Sequence, residues 1–398
     1  MKPYQFSTRL QYTIVLLVVA CVSQTVTHAA DWPMWRANAG RTGVSSESLP
    51  DTLKHSWTVG LPPLKPAYRD SRLQFDAGYE PIAVGDLLFV ASSRNDSVTA
   101  YDARTSKQQW RFYAEGPVRF APCAWQDRIF FGSDDGYLYC LKQETGELVW
   151  RFQAAPTNRK LLGNQRMISV WPVRGGAVVA DDRVYFAAGV FSFEGIFVYC
   201  LDAATGEVTW LNDSTGAIYG IHPHSAEAFG GLTPQGYLVV RGDELIIPCG
   251  SAYPARLNRS TGELIEFELP KKGRYPGGWF AALDEETARD VRRGKIVFDE
   301  AINQKLHEDK IYQGAGKTDV QSTIKLAQRK LKFADGWPGV DQDIHSMLAA
   351  NGRLFVVTKS GWIHGFDDAS PDPKRRIETQ NLQAISPLRR KSRLKATH

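Results

Sequence analysis

The sequence predicts an all-β chain: a β-propeller of four-stranded antiparallel blades, most of them closed by a tryptophan, with a helical insertion late in the chain. Three observations carry that expectation. A turn-and-strand segment recurs as TSKQQW (105–110), TGELVW (145–150), TGEVTW (205–210) and TGELIE (261–266). Each copy is preceded by two runs rich in β-branched and aromatic residues. The first two copies are 40 residues apart, the period of one propeller blade, and the long connection 155–173 widens the next interval.

In chain order, Lys2 and Arg9 precede the apolar run YTIVLLVVACV (12–22), which is too short to span a bilayer, and Ala29 and Ala30 follow. Residues 1–30 therefore read as an export signal cleaved near Ala30. VVAC (18–21) supports a competing reading, a lipobox leaving Cys21 acylated and the protein attached to a membrane. KHSWTVG (54–60) reads as an isolated outer strand that could pair the two chain ends and close the ring through Trp57.

Five strand-like runs follow: DLLFVAS (86–92), DRIFFGS (127–133), DRVYFAA (182–188), DELIIPC (243–249) and GRLFVVT (352–358). Each leads into a second strand (SVTAYD, GYLYCLK, GIFVYCLD, a weaker YPARLN, and WIHGFD), then into the turn. The turn chemistry is legible in DAATGE (202–207): an Asp bonds its own backbone and a Gly takes positive φ. Beyond the Gly, alternation places Val208 with Trp210 and Leu148 with Trp150. A single blade cannot cover its own faces, so each indole fills a gap between neighbours, burying on the order of 200 Å². Written as small-x-Asp-x-x-Thr-Gly-x-x-x-Trp, the pattern has Ala100, Cys140, Cys200 and Gly365 at its small position. Cys140 and Cys200 thus read as free, structural thiols, too far apart for a disulfide; a Cys123–Cys249 bridge stays open.

DEETARDVRRGKI (284–296) and STIKLAQRKL (322–331) carry a helical pattern with a cap at Asp284, so an inserted helical excursion is expected over about 281–333. The domain reading is a signal at 1–30, a propeller at 31–370 and a basic, disordered tail at 371–398. The overall charge of +5 is carried by the two ends; 31–370 is mildly acidic, which gives no electrostatic case for nucleic acid.

At AYDARTSKQQW, CLKQETGELVW and CLDAATGEVTW the chain resembles the pyrroloquinoline-quinone-type repeat propellers. That family includes quinoprotein alcohol dehydrogenases and the propeller lipoprotein of the outer-membrane β-barrel assembly machinery. DWPMWRANAGRTGVS (31–45) is similar to the start of many exported members. The resemblance covers about 81–268 and 344–368. It implies blade docking by Trp57, Trp110, Trp150 and Trp210 against turn glycines Gly146, Gly206 and Gly262. Ser106 stands where the family has Gly, Lys142 where it has Asp, and Glu266 where it has Trp. Five blades are countable, against the family's usual about seven or eight.

For function, the resemblance offers two directions. A quinoprotein would hold quinone and calcium in the central funnel, with an Asp base and a disulfide between adjacent cysteines. This chain has no adjacent cysteine pair and no CxxCH haem attachment. Asp341 and Asp343 are acidic candidates. His222, His224 and Glu227 in HPHSAE form a metal candidate without a third ligand at firm spacing. The long connection 155–173 places Arg159, Lys160, Gln165, Arg166 and Trp171 on a propeller face, where with FSFEG (191–195) it reads as a binding rim or a cap. The expectation is an exported, non-catalytic binding or assembly scaffold at the cell envelope, partnered by a protein or glycan and needing no cofactor. The alternatives are a dehydrogenase dependent on pyrroloquinoline quinone and calcium, or the propeller portion of a longer multidomain protein.

Overall fold

The computed structural model describes residues 30–69, 73–221, 225–250, 252–267, 279, 281, 323–341, 343–368 and 378–379. Five four-stranded antiparallel units form from the runs read in the sequence. The first contains Ile82–Val84, Leu87–Ser92, Ser97–Asp102 and Gln108–Tyr113. The second contains Cys123–Trp125, Arg128–Gly132, Tyr137–Lys142 and Leu148–Gln153. Val173–Ala180, Arg183–Ala188, Phe197–Asp202 and Val208–Asn212 make the third, and Val239–Arg241, Glu244–Cys249, Ala252–Asn258 and Leu264–Glu266 the fourth.

The fifth unit joins the two ends of the chain. Ile344–Ala350, Arg353–Thr358 and Trp362–Asp367 supply three strands, and Lys54–Gly60 pairs antiparallel with the last of them. The isolated strand at Trp57 therefore closes the final blade, as its sequence suggested. Glu378–Thr379, inside the segment read as a disordered tail, pair in parallel with Val59 and Gly60. The export signal with Cys21 and the remaining tail lie outside the described residues.

The small position of the repeat now has a physical reason. Ala100 pairs directly across from Trp110, Cys140 from Trp150, Cys200 from Trp210 and Gly365 from Trp57. A short side chain there leaves room for an indole on the neighbouring strand. In the fourth blade the same pair is Arg256 and Glu266, joined by an ion pair of 2.5 Å. All four described cysteines are free and buried. Burial pushes the Cys123 and Cys140 thiols up to about 12 and Cys249 to about 11, so they act as inert core residues.

The helical insertion is corrected where it can be seen. Thr323–Lys325 and Lys330–Lys332 form a β-hairpin instead of a helix. Ile324, Leu326 and Leu331 are buried, and the edge of Thr323–Lys325 bonds the N-terminal segment through Ser45 N–H to Lys325 O and Lys325 N–H to Gly43 O. Long-range backbone pairing overrides the local helical pattern. Residues 284–296 lie outside the described set. Among the described residues no helix is long and apolar enough to cross a membrane.

The N-terminal segment bonds to the first strands of three blades. Trp32 bridges Ala83, Ala124 N–H donates to Pro33 O, and Val240 N–H donates to Ala39 O. Arg41, only 1% exposed, donates to the carbonyls of Trp35, Ala177 and Leu238 at 2.8–3.1 Å. One guanidinium thereby satisfies acceptors from two blades and its own loop. Trp35 stacks on Tyr237 at 4.1 Å and 9° within the buried core.

Candidate functional site

In each blade the first-to-second and third-to-fourth turns lie at one end, here the lower, and the other connections lie at the upper end. Four charged side chains from the upper end meet in the interior: Asp76, Arg119 and Asp134 from connections and Arg174 from the start of Val173–Ala180, all buried. Arg119 and Arg174 occupy matching places, following Pro117-Val118 and Pro172-Val173 at the entry to successive inner strands. Asp134 stands in the tight connection Ser133–Gly136.

Asp134 anchors the cluster. Arg174 Nε donates to Asp134 Oδ1 at 2.6 Å and Nη2 to Oδ2 at 2.8 Å, a two-pronged pair. Arg119 Nε donates to Asp134 Oδ2 at 2.6 Å, and its Nη1 reaches Asp76. Asp76 also accepts from Ala67 N–H at 3.1 Å. Burial alone would raise the Asp134 carboxyl, but Arg174 and Arg119 together hold it below its usual range. For Asp76 burial wins: its carboxyl is raised despite Arg119. Arg174 Nη1 is buried and donates to no partner, and its guanidinium lies over Tyr68 at 5.8 Å and Phe75 at 5.7 Å.

Beneath the cluster the interior is aromatic. Phe75 stacks on Phe120 at 4.7 Å, and Phe120 meets Tyr237 edge-on at 5.0 Å, above Trp35. Beside it, Asp135 accepts from Tyr139 O–H at 2.7 Å and from the N–H groups of Tyr137 and Glu115, with its carboxyl raised by burial. Asp96 pairs with Arg166, and its Oδ1 is buried without a partner.

The residues singled out from the sequence fall around this cluster instead of within it. Lys160–Gly163 and Arg166–Ser169 form a hairpin on the upper face. Gln165 accepts from Lys65 at 3.4 Å. Arg159 pairs with Glu194 at 2.7 Å and lies over Trp171, whose indole N–H donates to Glu194 O at 2.6 Å. Trp171 is thus a buried strut between the hairpin and the FSFEG loop, where Phe191 and Phe193 stack exposed. Glu227 lies in a second hairpin, Ile218–Ile221 with Glu227–Gly230, and accepts from Tyr219 O–H. His222 and His224 lie outside the described residues. Asp343 meets exposed Lys359. Among the described residues no group of three His, Cys, Asp or Glu side chains surrounds a point where a metal would sit.

Sequence reading passed over Asp76, Arg119, Asp134 and Arg174. The one available signal was the repeated Pro-Val-Arg at 117–119 and 172–174, charged residues set into otherwise apolar strand entries.

At the lower end, Trp57 Nε1 donates to Ala103 O at 3.1 Å, Trp110 Nε1 to Gln143 O at 2.9 Å and Trp210 Nε1 to Arg259 O at 2.9 Å. Each accepting carbonyl lies in the turn of the next blade. A β-carbon added to Gly146 would stand 2.6 Å from Trp110, and one on Gly206 would stand 2.9 Å from Trp150. Gly262 is pressed against Trp210 in the same way.

Residues 33–182 match the family described as outer membrane protein assembly factor BamB, so the resemblance to quinone-type repeat propellers holds over this stretch. The dehydrogenase subunit of a quinone alcohol dehydrogenase from Gluconacetobacter polyoxogenes is 31% identical over 203 residues, 47% of this chain and 26% of that protein. A quinone 1-butanol dehydrogenase from Thauera butanivorans is 30% identical over 146 residues, 32% of this chain and 22% of its own. The solved quinohemoprotein alcohol dehydrogenase from Comamonas testosteroni aligns with a TM-score of 0.45 at 16% identity, covering 62% of this chain and 42% of that one. The chain spans about a quarter of the length of these curated relatives. Their names overturn the expectation of a non-catalytic scaffold: these relatives are redox enzymes.

Proposed function

We propose that this chain is a propeller of the quinone-linked dehydrogenase type, exported to the envelope, with the Asp76–Arg119–Asp134–Arg174 cluster as the part of the site it supplies. The observation that carries this reading is the 203-residue match to a quinone alcohol dehydrogenase subunit. Those 203 residues are enough to include several consecutive blades.

The residues suit a quinone and not a calcium ion. A polycarboxylate quinone calls for guanidinium donors and flat apolar faces, and Arg174 keeps one buried N–H without an acceptor beside Tyr68 and Phe75. The carboxylates that a cation would need are already taken by Arg119, Arg174 and the Ala67 N–H. When bound, a quinone would accept two electrons and two protons from an alcohol. Arg174 and Arg119 would bind and orient its acidic edge. Asp76, whose carboxyl is raised by burial while that of Asp134 is lowered, is the better suited of the two to take up a proton. Phe120, Tyr237 and Trp35 exclude water from below. The lower-face tryptophans serve as blade locks, holding the inner strands that carry the arginines.

The test is a titration of the full chain with pyrroloquinoline quinone, with and without calcium, followed by tryptophan fluorescence. Saturable quenching that needs no calcium and weakens at least tenfold in a folded Arg174→Lys variant is expected. Alcohol-dependent reduction of a dye should then follow. A folded protein whose fluorescence does not respond would remove the dehydrogenase reading.

A further inference from the structure

The seam where the first strand completes the last blade brings together two imidazoles that the cluster at the upper mouth does not use. His55 belongs to Lys54–Gly60 and His364 to Trp362–Asp367. Thr58 lies directly across from His364, and the register shifts between His55 and Trp57. That bulge turns His55 to the same face as Thr58. As a result His55 Nε2 and His364 Nδ1 stand 3.4 Å apart. Thr58 Oγ1 lies 2.7 Å from the first and 3.0 Å from the second.

That separation is chemically specific. A tetrahedral cation about 2.0–2.1 Å from each of two imidazole nitrogens sets those nitrogens about 3.3–3.4 Å apart. Burial pulls His364 down to about 4, with help from His55, and lowers His55 as well. Neutral imidazole is the form that binds metal. Asp341, in the connection leading to the last blade, acts electrostatically on His364 in the sense that favours a nearby positive charge. No third His, Cys, Asp or Glu completes the pair among the described residues, so Thr58 and water would fill the other positions.

We propose that His55 and His364 form a two-imidazole site for a borderline divalent cation, zinc or copper, which clasps the first strand of the chain to the last blade. Because the two ligands belong to strands 309 residues apart, only the completed last blade presents them together. The cation then stabilises closure by mass action, and a chelator loosens the seam.

The experiment uses the full, tag-free chain stripped with a chelator and melted with added zinc chloride at rising concentration. The melting temperature of the wild type should climb with zinc. The climb should vanish in His364→Gln and His55→Gln, while His222→Gln/His224→Gln should behave as wild type. An unchanged wild-type melt would overturn the site, as would an equal climb in His364→Gln. Should the seam variants fail to fold, copper paramagnetic resonance on the His222→Gln/His224→Gln protein decides: coupling to two imidazole nitrogens supports the site, and its absence removes it.

Discussion

The two ends of the blades are built on different principles. At the lower end the same chemistry recurs. Asp102 accepts from the N–H groups of Arg104 and Thr105, Asp202 from those of Ala204 and Thr205, and Asn258 from those of Ser260 and Thr261, all within 2.8–3.1 Å. Blade two, with Lys142 at this place, substitutes an exposed ion pair to Glu147. At the upper end the partners come from far apart in the chain, as in Asp76 with Arg119 or Asp134 with Arg174. Local turn chemistry builds the frame, and long-range charge pairing fills its mouth.

If that division is right, breaking an upper pair should cost most. Arg174→Met leaves Asp134 buried with one of its two partners gone, for a loss of about 3–5 kcal/mol. Urea unfolding of the variant against wild type measures it. The pH dependence has a definite sign. The folded Asp134 carboxyl lies below its usual 3.8, so its contribution is present above that value and fades as pH falls through the folded one. The gap between wild type and Arg174→Met should therefore narrow in acid. Asp76, raised by burial, runs the opposite way: its contribution is present below 3.8 and is lost as pH rises through its folded value. An Arg174→Met penalty that stayed constant from neutral pH to strong acid would show that Asp134 is not the partner that matters.

A lower-end change should cost less, and its parts can be separated. Gly262 has φ +77 and faces the Trp210 ring; Gly352 has φ +75 and nothing within 4 Å of an added β-carbon. Gly352→Ala should cost about 1–2 kcal/mol for the backbone alone. Gly262→Ala should cost that plus about 1–3 kcal/mol of overpacking against the indole. Equal costs for the two variants would mean that Trp210 yields freely and does not lock the blade.

The same division explains what could be read in advance. Strand runs, turns, the small position opposite each tryptophan and the closing strand at Trp57 were legible because each depends on residues a few places apart, repeated. The hairpin at Thr323–Lys325 was misread as helix because its determinant is the backbone of Gly43 and Ser45, hundreds of residues away. The central cluster was missed for a related reason. An isolated Asp-Asp in a Gly-containing turn looks solvated, and only the fold reveals that Asp134 faces two arginines from other connections. Arg159 and Trp171 read as members of a binding rim or a cap, and their pairing with Glu194 makes them struts between loops.

The smallest effect comes from the one turn that departs from glycine. Ser106 adopts φ +59, the left-handed conformation that Gly146, Gly206 and Gly262 occupy in the other blades. A side chain there costs about 1–2 kcal/mol. Ser106→Gly recovers that cost but adds about 0.5–1 kcal/mol of unfolded-chain entropy, and it gives up the Ser106 O–H bond to Thr105 O at 2.6 Å. The net expectation is a gain of at most about 1 kcal/mol, seen as a rise of about 2 °C in melting temperature. Ser106→Ala separates the causes, because it removes the hydroxyl and keeps the strained backbone. It should be no more stable than wild type. If alanine stabilised as much as glycine, the hydroxyl and not the backbone would be the defect, and this turn would belong with the individually built upper end.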